Sequence, residues 1–388
     1  MSRIHYLDFA ATSAIRPREV ADAVHAFLTD VGATPGRGGH RLSVEAGRVA
    51  LRARRAAARI LGLSGGPDRV VFTLNATQGL NMALSGILRP GDRVVTTPFD
   101  HNSVLRPVHR LKDERGVENR VIPGDASGAV DLRAAPEALE GARLLVVNAV
   151  SNVLGTRLPL RELAKEAHGA GALVLVDGAQ WGGHFAESLA DAGADMVAFT
   201  GHKGLLGPQG IGGLWVREGL EIPPLLSGGT GGNSHEPHMP GAMPNRLEAG
   251  SGNAPGMAGL TAGIEFLERS GIQALHAREM ELKDILWEGL SSLSGVRVLS
   301  PRDGSGVGIV TVSSPRVDPA TLSARLDREW GVMVRYGLNC APQVHRLLGT
   351  GRDGAVRFSL GWASTESDVE EAIKGADAIT STPPVPVS

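Results

Sequence analysis

At 388 residues the chain is long enough for a large domain and a smaller one. Its 42% hydrophobic and 21% charged residues are those of a soluble globular protein, and a net charge of −2 argues against nucleic acid or an anionic membrane as partner. No apolar run reaches the ~18 residues of a transmembrane helix, Met1–Asp8 lacks a signal-peptide core, and one cysteine suits a reducing compartment, so a cytoplasmic location is expected.

Along the chain, Arg52, Arg54, Arg55 and Arg59 read as a solvated helix face. From about residue 65 to 220, short β-branched runs alternate with longer amphipathic ones. Residues 69–73, 92–97, 143–148, 172–177, 196–199 and 212–216 read as strands, and their near-continuous apolar character suggests a mainly parallel sheet buried on both faces. Residues 160–168 have helical periodicity and composition. Residues 222–258, rich in Gly, Pro, Ser, Asn and His, predict a long irregular loop of a kind that is usually functional.

One helix is expected from about 258 to 293, then strands near 296–299 and 307–312 and a helix over 319–330. A strand at 355–360 and a helix over 365–379 close the pattern. The expected fold is α/β: a large three-layer α/β/α domain with a mainly parallel sheet (residues 21–258) and a smaller α+β domain (259–380). Residues 1–20 belong with the small domain at the active-site edge, and the Pro-rich 381–388 read as a disordered tail.

Four segments carry chemistry. Thr200-Gly-His-Lys203 leaves a strand and enters a glycine-rich turn; a lone lysine there would be a solvated charge, but this one has two possible phosphate donors, Thr200 and His202, at fixed offsets. Asp177 ends a hydrophobic strand, at the sheet edge where ligands bind in open α/β folds, with Gln180 three residues on. Asn75-Ala-Thr77 follows a strand and opens an apolar helix, so the amides of Ala76 and Thr77, with the Thr77 hydroxyl, offer an anion seat. An amine for a Schiff base, a carboxylate for a pyridinium nitrogen and a phosphate cup are what pyridoxal 5′-phosphate (PLP) requires. His101, just past the strand ending at Thr97, could stack on such a cofactor and exchange protons, or be an ordinary loop histidine.

The single cysteine, Cys340, stands in a polar stretch between Gly337 and Pro342 with Arg335, His345 and Arg346 in sequence around it. The residues alone leave open whether it is a nucleophile or incidental. Arg357 is either a clamp for an amino-acid carboxylate or a strand charge. No metal site is expected: His235 and His238 share a Gly/Pro loop without a third ligand.

Taken together, Tyr6-Leu-Asp-Phe-Ala-Ala-Thr12, Asn75-Ala-Thr77, Asp100-His101, Val150-Ser-Asn-Val-Leu-Gly155, Val176-Asp-Gly-Ala-Gln180, Thr200-Gly-His-Lys203, Arg246-Leu-Glu-Ala-Gly-Ser251 and Cys340 resemble the cysteine desulfurase/selenocysteine lyase group of the class V aminotransferases, fold-type I PLP enzymes. The resemblance runs almost full length. It implies that Lys203 carries PLP, His101 stacks on the ring, Asp177 pairs with its nitrogen and Gln180 with its phenolic oxygen. Thr77, Thr200 and His202 would hold the phosphate, joined by Ser251 from the second subunit of a homodimer with shared active sites. Asn152, also at the cofactor, and Arg357 would orient the carboxylate of L-cysteine, assisted by Arg37. Cys340 would take the sulfur as a persulfide, release L-alanine and pass the sulfur to an acceptor protein. The Arg335-x-Gly337-x-x-Cys340 spacing resembles the short-loop group II branch, with Leu338-Asn339 where better-known members often carry histidines. Selenocysteine lyase, or a C–S lyase or aminotransferase in which Cys340 is idle, are the alternatives.

Overall fold

A computed structural model describes residues 4–36, 38–232, 235–302 and 305–381, and all structural statements concern these. Strands β1 (His5–Tyr6), β2 (Val70–Thr73), β3 (Arg93–Thr96), β4 (Glu118–Val121), β5 (Leu144–Asn148), β6 (Leu173–Asp177), β7 (Met196–Thr200) and β8 (Gly212–Val216) occupy the first part of the chain. Helices α1 (Arg18–Ala26), α2 (Arg41–Ile60), α3 (Ala76–Ile87), α4 (Asn102–Arg115), α5 (Ala135–Leu139) and α6 (Leu160–Gly169) lie among them. Seven of these strands form one sheet in the order β2-β8-β7-β6-β5-β3-β4. The run from β7 to β4 is parallel, and β8 pairs antiparallel with both β7 and β2.

The period of two along each strand sorts its side chains to two cores. Leu145, Val147, Val174, Val176, Val197 and Phe199 face the layer of α2, α5 and α6. Leu144, Val146, Leu175, Met196 and Ala198 face α3 and α4. Both faces are covered, which is why the central strands read as unbroken apolar runs and why every residue of β5, β7 and β8 is buried. This is the three-layer α/β/α arrangement expected from the sequence.

Helices α7 (Ala254–Ser270) and α8 (Ile272–Ser291) replace the single helix expected over 258–293. Gly271 separates them at a φ of +80°, a conformation glycine adopts freely. On α7, Leu260, Ile264 and Leu267 pack into the large core, whereas Leu282, Leu286 and Leu290 of α8 belong to another. That second core lies against β9 (Arg297–Val298), β10 (Ile309–Ser313), β12 (Arg335–Gly337) and β13 (Ala355–Ser359), a sheet in the order β12-β13-β10-β9. Helices α9 (Pro319–Trp330) and α11 (Glu366–Ser381) cover it, and α10 (Pro342–Leu348) follows β12. β1 pairs in parallel with β11 (Val332–Met333), which places Leu7 in the small core. Ser381 ends α11 rather than opening a tail, and residues 382–388 lie outside the described residues. No helix of the described residues is long and apolar enough to cross a membrane.

Arg54 departs from the expected solvated face. It is buried, and its guanidinium forks onto Glu248 at 2.7 and 2.6 Å while also donating to the Val70 carbonyl. Glu248 additionally accepts from Phe72 N at 2.6 Å. The pair therefore ties the irregular stretch before α7 to the first strand of the large sheet. Because the Glu248 side chain keeps 22% exposure, Glu248→Ala should cost about 2–3 kcal/mol, somewhat under the range for a fully buried pair. Urea unfolding measures this, and a loss below about 0.5 kcal/mol, the usual scatter of surface changes, would contradict it.

Candidate active site

The C-terminal ends of β5, β6 and β7 open into a cleft of about 250 Å³ whose walls include Thr77, His101, Asp177, Lys203, Cys340 and Arg357. Ala76, Asn152, Gln180, Thr200 and His202 line it too. Residues 347 apart in the chain, from Ala10 on the N-terminal segment to Arg357 on β13, thus meet in the crevice where open α/β sheets bind ligands. Ser251 is exposed in the stretch before α7 and does not line this cleft. Arg37 lies outside the described residues.

Two turns bring Lys203 into the cleft. The chain leaves β7 at Thr200, and Ser13 fixes the next residues: its N–H donates to the His202 carbonyl at 2.8 Å and its hydroxyl to the Lys203 carbonyl at 2.9 Å. Gly204 then runs so close to Gly182 and His184 that a Cβ there would collide with the Gly182 carbonyl. The Lys203 amine has no hydrogen-bond partner among the described residues. Burial lowers its pKa to about 8, with Arg357 and Arg335 pressing the same way and Asp177 opposing them.

Asp177 is 3% exposed, one oxygen accepting from Ala179 N at 3.1 Å. Burial raises its pKa, against the pull of that hydrogen bond and of Lys203. His101 caps α4: its Nδ1 accepts from Ser103 N at 3.0 Å and lies 2.9 Å from Ser103 Oγ, which is 2.7 Å from Thr77 Oγ1. With Nδ1 an acceptor, the ring proton sits on Nε2. Burial, then the charges of Lys203 and Arg357, lower the His101 pKa to about 4, so the ring is neutral at pH 7.

Asn75 caps α3 by accepting from Gln78 N at 3.2 Å, which leaves the first helical N–H groups, those of Ala76 and Thr77, without intrahelical partners at the positive end of the helix. Facing them, Thr200 Oγ1 and His202 Nδ1 are buried and make no hydrogen bond. These unpaired groups at one end, an unpaired amine in the middle and a buried carboxylate at the other form a fit for PLP: an anion seat, a nucleophile and a counter-charge in one cleft. Gln180 Nε2 donates to the Ala10 carbonyl at 2.9 Å, which fixes the amide at the edge of the same cleft.

Arg357 is 2% exposed at the middle of β13, directly across from Arg335 on β12. One end of its guanidinium donates to the Asn152 carbonyl at 2.9 Å and the other to Asp8 at 2.8 Å, while Nε is unpartnered. Asp8 also accepts from Arg335 at 3.1 Å. Burial works against the Arg357 charge and Asp8 offsets it. Asp8 bridges both arginines, a role invisible in sequence although its segment had already been singled out. Ser103 was missed as well, because nothing in a helix's first turn marks a hydroxyl as linking a histidine to an anion seat.

Cys340 is exposed on residues 338–341, the tight connection between β12 and α10. Asn339 and Cys340 both take left-handed backbone, at φ +46° and +58°. Non-glycine residues pay about 1–3 kcal/mol each for sparsely populated backbone, and hold it only where surroundings impose it. Here they do: Asn102 N donates to the Cys340 carbonyl at 2.7 Å and Asn152 Nδ2 to the Asn339 carbonyl at 2.7 Å. The thiol is therefore displayed into the cleft by a fixed turn.

Residues 5–372 match the family described as Aminotransferase class-V. The chain is 35% identical over 379 residues to a protein of Pyrococcus abyssi named "Probable cysteine desulfurase", covering 94% of this chain and 91% of that one. It superposes with a TM-score of 0.91, at 34% identity, on the apo structure of cysteine desulfurase from Thermococcus onnurineus NA1, covering 97% of this chain and 95% of the other. The cysteine desulfurase CsdA of Escherichia coli, in its S-sulfonic acid form, gives 0.86 at 28% identity with coverage of 96% and 94%. With the landmark segments gathered into one cleft and the match nearly full length, the chain belongs to the class V aminotransferases, in their cysteine desulfurase family, whose cofactor is pyridoxal 5′-phosphate.

Proposed function

We propose that the chain converts L-cysteine to L-alanine and keeps the sulfur as a persulfide on Cys340. The observation that carries this is Cys340 itself, exposed on an ordered turn that lines the same cleft as Lys203 and Arg357. PLP, when bound, supplies an electron sink that acidifies the amino acid's Cα–H. Lys203 would hold it, Asp177 would face its ring nitrogen and Gln180 its phenolic oxygen, and His101 would cover the ring. Ala76, Thr77, Thr200 and His202 would seat the phosphate.

The chain's own groups then divide the work. Arg357, with Asn152 beside it, binds the substrate carboxylate through its donor fork. The Lys203 amine, its pKa brought down to about 8, removes and returns protons at the substrate carbons. The Cys340 thiolate attacks the substrate sulfur: its S–S bond forms as the substrate C–S bond breaks, leaving a persulfide on the protein and, after protonation of the former Cβ, alanine. The fixed turn supports handover to a dedicated acceptor protein that comes to the cleft.

We also propose a homodimer in which exposed Ser251 reaches the partner's phosphate seat, supported by its exposure and by exposed Leu42, Val44 and Leu51 on α2. The reaction is assigned to the cytoplasm, where an exposed free thiol survives.

Two experiments test this reading. Cofactor loading of the apoenzyme should accelerate as pH rises through about 8, because only the neutral Lys203 amine attacks. Asp177→Asn should move that midpoint down, since the Asp177 charge holds the Lys203 pKa up. Stopped-flow absorbance follows the loading, and a rate flat from about pH 6.5 to 9.5 would contradict the assignment. In a cysteine-to-alanine assay, Cys340→Ala should lose about a hundredfold or more in kcat while still loading cofactor. An undiminished rate would make Cys340 idle, and pyruvate with ammonia in place of alanine would mark the enzyme as a C–S lyase. Full activity of the variant on selenocysteine alone would instead identify a selenocysteine lyase, since selenide leaves without help from a thiolate.

A further inference from the structure

Behind the floor of the cleft, on the far side of the Gly204 turn, lies a second cluster that the reaction does not use. His276 and Glu279 stand three residues apart on α8 and so share a helix face. That face meets His184, in the turn that follows Asp177 and Gln180. One ligand atom from each of the three lies within 4.8 Å of the others.

Two features set the cluster beyond an ordinary ion pair: an already oriented carboxylate and a third, unpartnered imidazole. Glu279 is 5% exposed, and its carboxylate is already oriented: Gly308 N donates to Oε1 at 2.5 Å, which leaves Oε2 to face the histidines. His184 Nδ1 is 3.0 Å from that Oε2, within ordinary hydrogen-bond distance. His276 Nδ1 is buried and makes no hydrogen bond, although its ring is fixed against Phe185 with centroids 5.0 Å apart. A His184–Glu279 pair alone would satisfy two of the three groups and leave the third without a purpose.

We propose that His184, His276 and Glu279 bind one divalent cation, Zn²⁺, which staples α8 to the turn behind the cofactor site. Two imidazoles and one carboxylate are a zinc donor set, a water completing the tetrahedron. The Gly308 amide is the outer contact that aims the carboxylate, as metal ligands commonly require. Binding displaces the proton shared between His184 and Glu279, so affinity rises with pH. The ion lies apart from Lys203 and Cys340, on the wall of a neighbouring cavity that His184 and Glu279 share with Gln180 and Gly204.

Because Cys340 is itself a zinc ligand by chemistry, the test uses holoenzyme carrying Cys340→Ser in every arm. The protein is stripped with chelator, equilibrated with Zn²⁺ and desalted, and its metal content is measured. About one Zn²⁺ per chain is expected, with a rise in Tm on adding the ion. Adding His276→Ala should weaken zinc binding at least tenfold and abolish the Tm rise, with the cofactor spectrum and circular dichroism showing the fold intact. Glu279→Gln, close in shape, should do the same and stands in if His276→Ala does not fold. Cobalt in place of zinc should give d–d bands without sulfur-to-metal charge transfer. Zinc lost on desalting, or retained equally by the parent and by the folded variants, would overturn the proposal.

Discussion

A guanidinium taken out of water needs a counter-charge, and much of this structure follows from supplying one to Arg357. Unpaired, a buried cation costs several kcal/mol; here Asp8 sits 2.8 Å away and the Asn152 carbonyl satisfies the other end. Asp8 comes from the N-terminal segment, Asn152 from the turn after β5 of the large sheet, and Arg357 from the centre of the small one. One buried charge thus fastens three separate pieces of chain. The same Asp8 draws in Arg335, whose strand leads within three residues to Cys340. The contact that keeps Arg357 charged in its buried place also sets where the thiol stands relative to Lys203.

The protonation states in the cleft share a cause. Burial lowers Lys203 and His101 and raises Asp177, and the nearby arginines push the first two further down. A lysine whose pKa is brought down to about 8 reaches its neutral, nucleophilic form far more often at neutral pH than a free lysine does. A neutral histidine with its proton on Nε2 adds no further positive charge to the cleft. Neither property resides in the residue. Both come from a cleft in which cations outnumber the carboxylates that could stabilise charge.

Much of this was legible in the sequence where the physics is local. Central strands such as Leu144–Asn148 declared themselves because both faces are covered, and Asp177 stood out because strand ends in parallel sheets are where ligands sit. The edge strand Glu118–Val121 went unseen, since its pattern of exposed and half-buried polar residues carries no periodic signal. The break at Gly271 was hidden inside a continuous amphipathic run. Arg54 looked solvated because its partner, Glu248, is 194 residues away. Asp8 and Ser103 escaped for the same reason: their roles are defined by partners brought close only by the fold.

Cys340 shows how far such long-range placement matters. Its neighbourhood in sequence offers cations, yet His345 is buried, its Nδ1 engaged by Thr350 at 2.7 Å, and burial holds its pKa down to about 4. It contributes no positive charge at pH 7. The cations that do share the cleft with the thiol are Arg335 and Arg357, one strand-pair away, and Lys203 from the opposite sheet. The left-handed backbone at Asn339 and Cys340 is what lets the chain turn from β12 into α10 within four residues, 338–341, and still aim the sulfur inward. A longer, relaxed connection would avoid that strain and lose the aim, so the short turn and the strained residues are one design, in which reach is exchanged for position.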